Sequence, residues 1–195
     1  MSHQPTPAPR PSAARARIIR AADALFYAEG TRAVGVDRVI AEAQVTRVTF
    51  YRHFPSKDHL IAAYLDARLQ RDREELATLR DAHPGDPEAV LGGIVETLVA
   101  DTSAPGFRGC AYANIAAEFC DGDHPGRAIA AEHRTWLLGE VRSLLEDLHV
   151  EDADVVAEQL LMLRAGAMAV SSVGHAEHVS RAFSQAWSAL VDRAR

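Results

Sequence analysis

Arg47, Val48, Tyr51 and Arg52 would fan over one side of a short helix, and Lys57 would follow in the first turn of the next. A side rich in Arg, Tyr and Thr fits solvent or the groove of a nucleic acid. A lysine beside the exposed N–H groups of a helix start fits a phosphate oxygen. This is chemistry of recognition rather than turnover. The chain has no HExxH, nucleophile elbow or phosphate loop, and carboxylate pairs such as Asp121 and Asp123 sit in a Pro/Gly stretch where helix capping accounts for them. His175-x-x-His178 lies at helical spacing without a third ligand and reads as solvated histidines. Cys110 and Cys120 lack basic neighbours on both sides and read as reduced thiols of a cytoplasmic protein, not as a disulfide or a redox switch. No catalytic residue, metal or cofactor is expected.

The elements that would hold these groups follow from spacing. Val36, Val39, Ile40 and Ala43 recur at helical intervals, so 36–43 reads as a short amphipathic helix. A tight turn at Gln44-Val45 comes next. The Thr46 hydroxyl can cap a second helix, which Pro55-Ser56 stops. Phe50 and Phe54 share the side of that helix away from Arg47, where a small core would lie. Ser56 can then cap the helix that begins with Lys57.

The run from Val36 to Leu60, above all Thr49-Phe50-Tyr51-x-His53-Phe54-x-Ser56-Lys57, resembles the DNA-binding signature of the TetR family of transcriptional repressors. The resemblance extends over three helices with the family's spacing. It implies a recognition helix opened by Thr46, with Arg47 placed for a bidentate hydrogen bond to guanine and Val48 and Tyr51 beside it in the major groove. Thr49, Tyr51, His53 and Lys57 match family positions that hold phosphates and set register. Arg38, one helix earlier, either reads a base or pairs with Glu42 at i+4. Two positions depart from the pattern. Gln44 stands where the family usually has glycine, and a left-handed conformation there costs a non-glycine residue about 1 kcal/mol; either the turn bends differently or other contacts hold it strained. Val48 stands where a small residue is common, and its methyls can meet a thymine methyl.

A chain of 195 residues is long enough for one good core or two modest ones. Its 25% charged and 48% hydrophobic residues are ordinary for a globular protein. No apolar run reaches about 18 residues, so nothing is expected to span a membrane, and the N-terminus lacks the apolar segment of a signal peptide. The net charge of −6 argues against a nucleic-acid binder until it is divided. Residues 1–60 carry nine Lys/Arg and five Asp/Glu, a net +4, whereas 61–195 carry twelve and twenty-two, a net −10. A basic head on an acidic body suits a small DNA-reading domain joined to one that reads something else.

The expected fold is all-α with about nine helices. Residues 1–12, containing Pro5, Pro7, Pro9 and Pro11, read as a disordered tail. Arg10, Arg15 and Arg17 either reach along DNA or simply solubilise. A three-helix helix-turn-helix head is expected at 13–56, and an effector-binding and dimerisation domain at 57–195. The first helix covers 13–29 and ends at Gly30, its Ile18, Ala22, Leu25 and Phe26 packing on Phe50 and Phe54. Later helices are expected at 57–80, 88–101, 110–120, 126–148, 152–173 and 176–193.

The resemblance further implies an effector pocket among helices four to seven. Tyr64, Arg68, Leu98, Phe107, Tyr112, Asn114, Glu118, His133 and Trp136 are its candidate residues, for a drug-sized, largely hydrophobic effector that is cationic if Glu118 is unpaired. The alternative is that Asn114 and Glu118 bond to neighbouring loops while the aromatics fill core. Coupling would run through the fourth helix, from Lys57 to its 64–68 section. Leu160, Arg164, Ala167, Met168, Phe183, Trp187 and Leu190 on the last two helices are the candidates for a two-fold homodimer interface. The expected partners are a palindromic double-stranded DNA operator, a small effector and a second copy of the chain, with no membrane. Two rival readings are a helical enzyme with a DNA-binding-like N-terminus, which would turn over a substrate without DNA, and a purely architectural DNA-binding module, which leaves the long helical region after the head unexplained.

Overall fold

The computed structural model describes residues 12–119 and 122–194, and every regular element among them is an α-helix. Helix α1 (Ala13–Glu29) begins where Ser12 Oγ accepts the Arg15 amide at 3.2 Å. It ends at Gly30, whose φ of 85° is a region that glycine enters without a steric penalty. Helices α2 (Val36–Glu42) and α3 (Arg47–His53) are short. Thr46 Oγ1 accepts the Thr49 amide at 3.1 Å, which satisfies a donor that α3 would otherwise leave bare. Phe54 turns extended before Pro55 and stops α3. Helix α4 (Lys57–Ala82) opens with Ser56 Oγ accepting the His59 amide at 3.3 Å.

Contacts divide the chain into two compact units, the first ending at Tyr64 and the second beginning at Leu65, both within α4. In the first unit Ile18, Ala22, Phe26, Val39, Phe50, Phe54, Leu60 and Tyr64 are buried together. Burying each of the larger side chains contributes roughly 1.5–3 kcal/mol, and this fixes the roll of α3 with its Arg47–Val48 side outward. Tyr64, expected in the effector pocket, meets Phe26 edge-on with ring centroids 5.8 Å apart. It is a core residue of the head, because the first two turns of α4 complete that core.

Gln44 adopts a φ of 51°, so the turn keeps the left-handed conformation despite lacking glycine. Its amide donates to Ala41 O at 3.1 Å and the Val45 amide donates to Ile40 O at 3.3 Å. Arg17 Nε, from α1, donates to Ala43 O at 3.2 Å. These bonds hold a turn that costs about 1 kcal/mol in strain.

The second unit comprises the rest of α4 with α5 (Pro87–Ser103), α6 (Ala111–Glu118), α7 (Pro125–Asp147), α8 (Ala153–Ser171) and α9 (Ala176–Arg193). Leu76, Leu91, Leu98, Val141, Leu144, Leu160, Phe183 and Trp187 belong to its core. Helix α5 runs two residues past the expected end, since Thr102 is buried and its hydroxyl donates to Leu98 O at 2.9 Å. Helices α4 and α5 approach closely at Gly93, where a Cβ would lie 2.5 Å from Leu79.

Most of the expected dimer residues turn into this unit's own core. Leu160, Ala167, Met168, Phe183 and Trp187 are buried there, and Leu190 is partly buried against it. Helices α8 and α9 pack on each other and on α5, which turns their most apolar stripes inward. The outward side of α8 instead carries Val155, Met162 and Val170, with Val173 just beyond its end. The tail through Pro11, with Arg10, and also Cys120 and Asp121 lie outside the described residues.

Candidate nucleic-acid interface and ligand cavity

The outward side of α3 is built from residues that burial of Phe50 and Phe54 leaves free. Val48 is 79% exposed and Tyr51 45% exposed, with Arg47 and Arg52 also exposed. Tyr51 rests edge-on against Phe50, centroids 5.2 Å apart. The Arg47 guanidinium lies 6.0 Å from the Tyr51 ring centre and its Nη2 is 2.6 Å from Asp37 Oδ1. Thr46 Oγ1 and Thr49 Oγ1 share a hydrogen bond at 2.9 Å. His53 Nε2 lies 3.0 Å from Ser12 Oγ, so a phosphate contact by His53 would exchange that partner. Lys57 is partly exposed in the first turn of α4.

Arg38 does not pair with Glu42. It forms an ion pair with Glu29 at the end of α1, because packing of α1 on α2 brings that carboxylate to it. Arg15 lies over the Phe54 ring at 5.4 Å and Arg17 holds the Ala43 carbonyl, so both contribute to the head's packing. Asp37 is the residue that sequence reasoning passed over. Its only local signal was an acid beside a face otherwise rich in arginine.

Within the second unit a cavity of about 370 Å³ opens among α4, α5, α7 and α8. Leu76, Leu79, Ile94, Leu98, Trp136 and Leu137 form its apolar wall, and Asp72, Glu75, Asp101 and Arg164 its charged edge. Of the candidate effector residues, only Leu98 and Trp136 line it. Phe107 packs against the core. Asn114 donates to the Arg108 carbonyl at 2.8 Å, which is the loop-bonding alternative. Glu118 and Arg68 are each already engaged, so the condition for a cation at Glu118 is not met. Arg164, expected at a dimer interface, faces the cavity instead. Positions 72, 75, 76 and 79 repeat at helical intervals along α4, a signal that could have located this wall.

Behind the charged edge, Tyr112 Oη donates to Asp72 Oδ2 at 2.5 Å, and the Tyr112 ring stacks on His133 with centroids 3.8 Å apart. Burial raises the Asp72 pKa against the opposing bond from Tyr112 and the nearby Arg164. Burial, followed by the hydrogen bond to Asp72 and its charge, pushes the Tyr112 phenol far up. Burial, with Arg164 adding to it, lowers His133 to about 4. The imidazole is therefore neutral near pH 7, and its 3.6 Å approach to Asp72 is not an ion pair there. Glu75 and Asp101 are raised as well, again chiefly by burial. Cys110 is a free thiol packed partly against the core. Among the described residues no helix is long and apolar enough to cross a membrane.

The model of bacterial regulatory proteins of the tetR family matches residues 18–64. The crystal structure of SCO4454, a TetR-family transcriptional regulator from Streptomyces coelicolor, is similar with a TM-score of 0.87 and 38% identity, covering 93% of this chain and 95% of that one. The HTH-type transcriptional repressor SCO4008 of Streptomyces coelicolor is 27% identical over 155 residues, 80% of this chain and 77% of that repressor. The HTH-type transcriptional repressor DrrR1 of Streptomyces coeruleorubidus is 35% identical over 78 residues, 40% of this chain but only 28% of that repressor's length. A head with this turn and cap geometry, joined to a near full-length likeness at 38% identity, places the chain in the TetR family of transcriptional regulators.

Proposed function

We propose that this regulator is a ligand-released repressor that reads a palindromic operator as a homodimer. Residues 13–56 would form its DNA-binding domain and 57–195 its effector-binding and dimerisation domain. The observation that carries the reading is the exposed side of α3, where Arg47, Val48 and Tyr51 stand clear of the core. Thr49, His53 and Lys57 flank that side and would hold phosphates. Two such heads must meet successive major grooves, about 34 Å apart. We assign the two-fold interface to the outward side of α8 and the residue just beyond its end, where Val155, Met162, Val170 and Val173 are exposed. Gly166, on the same side of α8 as Met162 and Val170, has open space around it and would let two helices come close. Repression, rather than activation, is supported by the names of the two curated relatives. The effector site is assigned to the cavity beside Leu98 and Trp136, which suits a drug-sized, largely apolar ligand. Helix α4 carries both Lys57 and the cavity residues Leu76 and Leu79, so a ligand that shifts α4 would alter the head. No catalytic role is assigned, and a DNA-bound regulator would work in the cytoplasm.

Selection of bound DNA from a random pool, followed by gel retardation, tests this reading. Arg47→Ala should cost about 1–3 kcal/mol and relax preference at one base pair per half-site. Lys57→Ala should weaken all sequences alike and flatten the salt dependence. A screen of lipophilic compounds should find one that releases the operator, and Trp136→Ala should blunt that response while leaving DNA binding intact. A protein that enriches no sequence, or that sediments as a monomer at micromolar concentration, would overturn the proposal.

A further inference from the structure

We propose that Asp37 determines sequence specificity by holding the Arg47 guanidinium toward a guanine edge, its other carboxylate oxygen being placed for the amino group of a neighbouring cytosine. The proposal rests on the reading of α3 as the groove helix. Asp37 comes from the first turn of α2 and Arg47 from the first turn of α3, yet the two meet at 2.6 Å. Both side chains remain open, Asp37 at 78% and Arg47 at 63% exposure, so the pair lies on the surface that would face DNA and not in the core. Tyr51 contacts the guanidinium as well, so Arg47 is bracketed by an anion and an aromatic ring.

An unrestrained arginine divides its time between base edges and phosphates. One tethered by Asp37 keeps a direction, and because a guanidinium has five N–H donors, enough remain to reach guanine O6 and N7 together. The carboxylate adds a second filter. It repels phosphates and the acceptor atoms of guanine and thymine, and it accepts a hydrogen bond from cytosine N4. An acid on a face meant for a polyanion weakens binding to every sequence. Rejecting wrong sequences more strongly than the right one is what such a group can contribute. The plain alternative is an exposed ion pair that steadies the start of α2 through the helix dipole, and it predicts no change in base preference.

The test is selection from a random duplex pool with the wild type, Arg47→Ala, Asp37→Ala and Asp37→Glu, followed by binding constants on the consensus. The same constants are measured on a consensus altered at the base pair where Arg47→Ala loses preference. Asp37→Ala should reduce discrimination at that pair by roughly fivefold or more, while binding to unrelated DNA tightens. Asp37→Glu should restore part of the discrimination. A double-mutant cycle should show Asp37 and Arg47 coupled on the consensus and uncoupled on the altered site. Should Asp37→Ala keep full discrimination where Arg47→Ala has lost it, the proposal is overturned and the groove reading stands. Should Arg47→Ala also keep wild-type preferences, both fall. Melting temperatures near wild type would confirm that the exposed substitutions leave the fold intact.

Discussion

His133→Gln should make the protein less sensitive to acid than the wild type. The imidazole is 8% exposed, and burial holds its pKa at about 4 against an ordinary 6.5. As pH falls below 6.5 the unfolded chain takes up a proton here that the folded chain refuses. Wild-type stability therefore declines through that window, and the loss is complete only below about pH 4. At about 1.4 kcal/mol per pKa unit, the full loss is about 3–4 kcal/mol. Asp72, Glu75 and Asp101 act in the opposite sense, since their raised pKa values let the folded chain bind protons more readily. They are present in both proteins and largely cancel in the difference. Asp72, 3.6 Å from the ring, can respond to the substitution, so the pair is repeated in an Asp72→Asn background. The assay is urea unfolding at several pH values and one fixed protein concentration, because assembly shifts apparent stability. Loss of the stack on Tyr112 gives an offset that does not depend on pH. On that offset, the variant should gain up to about 3–4 kcal/mol relative to the wild type on acidification. A difference that stays constant from neutral pH down to about 4.5 would refute a buried, neutral His133.

Gln44→Gly should raise head stability by about 0.5–1 kcal/mol by relieving the left-handed strain, and an unchanged melting temperature would show that the turn's bonds have already absorbed it. Phe50→Ala should cost about 3–5 kcal/mol and abolish slow amide exchange in α1–α3; retained protection would contradict the assigned core. Met162→Glu should leave the fold intact and yield monomers in sedimentation, whereas Ala167→Glu, which buries a charge, should unfold the second unit. The reverse pattern would mean that α8 presents its other side.

Much of the first unit was legible in the chain because its causes are local. Ser56 and Thr46 cap helices through atoms three residues away, Gly30 ends α1 through its own backbone freedom, and Pro55 stops α3 through the residue before it. Phe50 and Phe54, four apart, could only face one way once α3 was helical. The helical class and most helix limits followed from the same short-range rules.

Other features depended on partners far away in sequence. Helix α8 runs Leu160-Leu161-Met162-Leu163 and is apolar nearly all round, so its period could not choose an inner side. Packing on α5, α7 and α9 buries Leu160 and Leu161 and leaves Met162 59% exposed. Arg38 could have met Glu42 on its own helix, yet α1 brings Glu29 to it. Arg47 found Asp37 across the turn, and Tyr64 was drawn into the head by Phe26. A cavity is space that several helices leave unfilled, so its edge at Asp72, Glu75, Asp101 and Arg164 came into view only when α4, α5, α7 and α8 were set side by side. A helix sequence encodes its period and its ends. Which neighbours cover each side is settled by the packing of elements that no local spacing relates.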